Sequence, residues 1–243
     1  MAGHSKWANI KHRKARQDKK RAKIWSKLAH HIIVAARGGG DPDKNNRLAL
    51  AILDARKENM PAANIDRAIK RGTGEIAGSD PEELVYEGYG PGGTAIVVEA
   101  LTDNRNRTAP AIKHAFEKAG GNMGSSGCVM HSFERKGLVV IERASIEEER
   151  LFELVVEAGA EDLETQDGLY AVTTPATELE SVRKALDAHE IAFESAELGY
   201  VPLSTVEVDE TVAQKIQKLV DALDELEDVQ NVYTNHEAAA SAD

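Results

Sequence analysis

The sequence predicts an α+β protein: an N-terminal three-helix bundle with a basic arm, followed by two ferredoxin-like α/β domains, one inserted in the other. Three observations carry this reading. Apolar residues recur at helical spacing from Ile24 to Ile69, with Gly and Pro marking the ends of the runs. After Pro81, short β-branched runs alternate with amphipathic ones. From Gly137 their order is strand, helix, strand, strand, helix, strand. The domain boundaries that follow are a basic arm at 1–20, a helical bundle at 21–78, an α/β domain from 79–135 plus 201–235, an inserted α/β domain at 136–200, and a tail at 236–243.

Residues 1–20 hold Trp7 and Ile10 but no sustained helical period, and read as an extended or weakly helical arm. Ile24, Leu28, Ile32 and Ala35 form the stripe of a first helix, which "RGGG" ends at Gly38. "DPDKNN" predicts a second helix with Asp41 as N-cap and Pro42 in the first turn, running to about Asn59. "MPAANIDRAIKRG" gives a third, between Pro61 and Gly72, and a linker over 72–81 follows. "TAIVVEAL" then reads as a buried strand, "TAPAIKHAFEKAG" as a helix capped by Thr108, and "CVMHSFE" as another strand. The inserted domain is "LVVIE", "IEEERLFELVVEAG", "EDLET", "LYAVTT", "TELESVRKALDAHE" and "AFESAEL". A strand near "YVPLSTV", a helix from Asp209 and a strand "VQNVYT" complete the outer domain. The last eight residues read as frayed.

Charge is unevenly distributed. The 243 residues carry a net charge of −11, yet residues 1–78 hold 18 Lys/Arg against 7 Asp/Glu, and residues 79–243 hold 12 against 34. A basic end on an acidic body points to a polyanion-binding segment, since the body itself repels phosphates. No apolar run approaches the roughly 18 residues of a spanning helix, so no membrane is expected. The single Cys128 excludes an intrachain disulfide or a cysteine-rich zinc site and suits a reducing cytoplasm. No apolar segment closely follows the basic start, which argues against a secretory signal, whereas an organellar transit peptide shares its composition.

The nucleic-acid candidates are His4, Lys6, Trp7, Lys11, His12, Arg13, Lys14, Arg16, Lys19, Lys20, Arg21 and Lys23, with Arg105 and Arg107 as a second group. In the arm, cations alternate with rings that can stack on bases. Arg105 and Arg107 lie in "DNRNRT", near the start of a helix whose free N–H groups favour anions; equally, Asp103, Asn104 and Asn106 could serve only to shape the turn and Thr108 to cap the helix. "GYGPGG" at 88–93 has a phosphate-cradle composition, but a strand follows it, so it reads as a glycine-permitted hairpin turn. Cys128 and His131, three apart on an expected strand, would face opposite ways, and no histidine spacing matches a zinc signature. Neither an enzyme nor a cofactor or metal site is expected.

"MAGHSKWANIKHRKA", "GGGDPDKN", "YEGYGPGGTAIVVE", "DNRNRT" and "GGNMGSSGCV" resemble the YebC/PmpR family over nearly the whole chain, with no departure from its motifs. Relatives of that family include the mitochondrial translational activator of cytochrome c oxidase. The resemblance implies three domains and a cytoplasmic, non-enzymatic regulator of gene expression. Bacterial members are described as DNA-binding transcriptional regulators; members are also associated with translation, relieving ribosomes stalled on proline-rich chains. The expected partner is therefore DNA, or alternatively ribosomal RNA or tRNA on the ribosome, with a protein-interaction scaffold as a third class. The oligomeric state is left open.

Overall fold

A computed structural model describes residues 21–76, 81–166 and 168–239, with side chains from Ile24 onward. It comprises two compact units: residues 131–205, and the residues up to 130 joined with those from 206.

The second of these begins with three helices, α1 (Arg21–Ala36), α2 (Asn46–Lys57) and α3 (Ala62–Gly72). Their apolar stripes, with Met60 from the connection between α2 and α3, meet in a core that includes Ile32, Ile33, Leu48, Ile52 and Ile65, each such side chain stabilising by roughly 1.5–3 kcal/mol. At the end of α3 a Cβ on Gly72 would stand 2.4 Å from the Ile33 carbonyl oxygen, so only glycine lets α3 approach α1 this closely. The cap of α2 differs from expectation. Asp41 opens a separate turn, accepting from the Asp43 and Lys44 amides, and Asn45 caps the helix by accepting from Leu48 N at 3.1 Å. Pro42 is favoured in the second place of such a turn, which delays the helix by one turn.

The same unit holds β1 (Glu82–Tyr89), β2 (Ala95–Thr102), α4 (Arg105–Lys118), β3 (Asn122–Met123), and, after the other unit, α7 (Glu210–Asp224) and β9 (Val229–Thr234). Their antiparallel sheet runs β3-β1-β2-β9. Ile96 and Val98 of β2 pack with Ile112 and Phe116 of α4 and with Ile216 and Leu219 of α7. "GYGPGG" is the β1–β2 hairpin connection: Gly90 N donates to Thr94 O at 2.8 Å, and Gly92 and Gly93 take φ of 73° and 76°. Thr108 does not cap α4; Asn104 does, accepting from Arg107 N.

Residues 131–205 fold as β4 (Phe133–Glu142), α5 (Glu148–Glu157), β5 (Asp162–Gln166), β6 (Leu169–Pro175), α6 (Leu179–Ala188) and β7 (Ser195–Pro202). The antiparallel order β5-β6-β4-β7 is ferredoxin-like. Val139, Ile141, Leu151, Val155, Val172, Val182 and Leu186 form its core.

The outer sheet departs from the strands expected for it. "CVMHSFE" is not one strand: Cys128 lies in a turn, Met130–Ser132 is a 3-10 turn, and Phe133 already opens β4. "YVPLSTV" likewise divides between the end of β7 and β8 (Val206–Val208). The cause is pairing, since β4 and β7 extend together as far as Phe133 and Pro202. The vacated place in the outer sheet is taken by β1, whose glutamates weaken its signal as a strand. His236–Ala238 (β10) is not frayed; it pairs in parallel with β8.

Candidate nucleic-acid interface

Of the expected contact residues, His4, Lys6, Trp7, Lys11, His12, Arg13, Lys14, Arg16, Lys19 and Lys20 lie outside the described residues. Arg21 and Lys23 stand in the first turn of α1, and their side chains are likewise outside the description.

Helix α1 leads into a surface whose cations are variously engaged: Lys27 donates to Gln230 O at 3.2 Å and Arg37 to Pro81 O at 2.6 Å. Arg47 pairs with Glu83 at 2.8 Å, Lys44 with Asp41 and Lys57 with Asp54. Arg56, Arg67 and Lys70 are exposed and make no ion pair among the described residues. Between α1 and α3 runs a groove of about 440 Å³, with Trp25, Ala29, Ile33, Met60 and Ala68 as its apolar lining. Asn64, Arg67 and Arg71 line it from α3, and Ser26 and Glu227 complete it, the Ser26 hydroxyl donating to Glu227 at 3.0 Å. Trp25 is fixed by donating Nε1–H to Glu58 O at 3.0 Å.

The second expected group is engaged with carboxylates. Arg105 forms a two-pronged pair with Glu82 on the adjacent strand, its Nη2 at 2.6 Å. That contact holds the Glu82 carboxyl below its ordinary range and raises the guanidinium. Arg107 donates from Nη2 to Asp228 Oδ1 at 2.7 Å and from Nε to Oδ2 at 3.2 Å, with Asp103 at 3.3 Å. Burial raises the Asp228 pKa, but the bonds from Arg107 and Thr108 outweigh it and the carboxyl titrates below the usual range. Asp103 also accepts from Arg71 at 3.3 Å, so the network ties the end of α3 to the start of α4. An incoming phosphate would have to displace Glu82 from Arg105, or share Arg107 with two carboxylates. Sequence reasoning missed Asp103 and Asp228 as partners, and in the case of Asp228 nothing local in "LEDVQN" signals them.

Burial lowers the pKa of the His30 imidazole despite the opposing charges of Asp103 and Asp228. In residues 131–205 a polar cavity of about 470 Å³ sets Arg143 and Arg150 beside Glu147 and Glu190, which leaves little net charge for a polyanion. No described helix is long and apolar enough to cross a membrane.

Residues 5–75 match the family model for the TACO1/YebC protein N-terminal domain, and residues 81–236 match that for the TACO1/YebC second and third domain. The chain belongs to the TACO1/YebC family. A TACO1/YebC relative from Persephonella marina is 54% identical over 240 residues, covering 98% of this chain and 96% of its own. Another, from Desulfosudis oleivorans, is 50% identical over 236 residues, 97% of this chain and 96% of its own. Each is named "Probable transcriptional regulatory protein". The crystal structure of a conserved hypothetical protein from Aquifex aeolicus superposes on this TACO1/YebC chain with a TM-score of 0.88 at 47% identity, over 98% of both chains.

Proposed function

We propose that the chain is a cytoplasmic, non-enzymatic regulator of gene expression that binds DNA through its N-terminal basic segment. The naming of its relatives as transcriptional regulators supports the regulatory role. The observation that carries nucleic-acid binding is charge segregation: residues 1–37 hold eleven Lys/Arg against one acid, on a body that is otherwise strongly acidic. Because Arg105 and Arg107 are already paired, the affinity rests on the arm and on α1, with Arg105 and Arg107 at most a minor second contact. RNA on the ribosome is the second reading, favoured by His4, Trp7 and His12 among the cations.

Neutralising about six to eight phosphates gives a log–log salt slope of roughly −5 to −7 on duplex DNA. Deleting residues 2–20 should flatten that slope and leave the melting temperature unchanged. A promoter fragment, scrambled DNA and ribosomes titrated in parallel separate the two readings. Discrimination of the promoter by about 10³ or more supports the DNA reading; ribosome binding without it supports RNA. Unchanged affinity in the folded, truncated chain defeats the assignment to the arm.

A further inference from the structure

We infer that the groove between α1 and α3 is a pocket for a single unstacked nucleobase, so that the bundle engages single-stranded or locally opened nucleic acid; this rests on the nucleic-acid reading above. The groove is amphipathic in the sense a base requires. Its lining of Trp25, Ala29 and Met60 offers an apolar, partly aromatic wall to a planar ring. Asn64 carries both a donor and an acceptor for a base edge, and its side chain makes no hydrogen bond among the described residues.

Charge fixes how a strand would lie. Arg67 is exposed and makes no ion pair among the described residues, so it is available to a phosphate beside the groove. Glu227, also at the groove and held by Ser26, repels phosphate. The backbone therefore runs along the Arg67 side with the base directed inward. Continuity supports the same occupant, because Trp25 and Ser26 lie two and three positions after Lys23, the end of the basic stretch. A blunt duplex keeps its bases stacked and cannot fill this groove.

The test is a fluorescence-anisotropy titration of the full chain with a labelled 12-nucleotide single strand, as DNA and as RNA, and with the blunt duplex of the same sequence. Ala29→Leu fills the groove, and Arg67→Gln removes its free cation while leaving the fold untouched. The expected result is that Ala29→Leu weakens single-strand binding about 5- to 150-fold, the range of one lost stacking contact. Arg67→Gln should weaken it and reduce the salt slope by about 1. Duplex affinity should hardly change with Ala29→Leu. If Ala29→Leu does not fold, Arg67→Gln decides alone: an unchanged single-strand affinity and slope overturn the inference. Parental single-strand binding in both variants overturns the groove while leaving arm-driven binding in place. No binding of either probe by the parent chain overturns both.

Discussion

Asp228 is 5% exposed and still ionised, because Arg107 and Thr108 supply what water would. Thr108 donates at 2.6 Å and itself contacts Thr102 Oγ1 at 2.8 Å, so the carboxylate is built into the packing of β2 against α4. Replacing it leaves Arg107 with Asp103 alone. The guanidinium is half-exposed, so the loss is smaller than for a fully buried pair, and Asp228→Asn should cost about 1–3 kcal/mol at pH 7. Because folding depresses this carboxyl, its contribution is complete above the ordinary carboxylate pKa of about 3.9 and is lost as pH falls through the lower folded value. Urea melts at pH 7 and at pH 3 should therefore show a gap between parent and variant that narrows at the acid end. A gap of equal size at both would mean that the charge contributes nothing.

Helix α2 depends on one residue with two tasks. Asn45 Oδ1 caps the helix, while Nδ2 donates to Ala35 O and Gly39 O, both at 2.8 Å, and so ties down the end of α1. Capping statistics rate Asp equal to Asn, but here a carboxylate would face two carbonyl oxygens. Asn45→Asp should then be at least as destabilising as Asn45→Ala, which should cost about 1–2 kcal/mol through the lost cap and donors. If the Asn45→Asp variant melts like the parent, the amide donors carry no weight. Elsewhere in the same unit, Glu87 does comparable work for a loop. It is 4% exposed and accepts from the amides of Gly127, Val129 and Met130 at 2.6–2.9 Å, which holds 127–130 as a turn just ahead of β4.

In the whole molecule the chain leaves one unit at residue 130 and returns to it at 206. The intervening residues 131–205 contain a complete four-stranded sheet, two covering helices and their own buried core. Expressed alone, this segment should unfold cooperatively, with a denaturant m-value proportionate to its size. A non-cooperative melt would show that its core is insufficient without the rest of the chain.

Local chemistry determined much of this. The helices of the bundle, the hairpin at Gly90–Thr94, the cap of α7 at Asp209 and strand β9 over "VQNVYT" depend on short-range periodicity, turn residues and capping, all of which are written in neighbouring positions. The basic start and acidic remainder were equally plain, since charge needs no fold to be counted. What only the tertiary structure decided was long-range pairing. Glu82–Tyr89, rich in glutamate, became a central strand because β2 and β3 flank it on both sides. Phe133 joined β4 because Pro202 lies opposite it. The groove at Trp25 and Arg67 exists only where α1 and α3 meet. Arg105 and Arg107 look like free cations in "DNRNRT", but Arg105 finds its carboxylate 23 positions upstream and Arg107 another 121 positions downstream. Such partners are beyond the reach of any local pattern, because electrostatic and packing contacts depend on distance in space and not on distance along the chain.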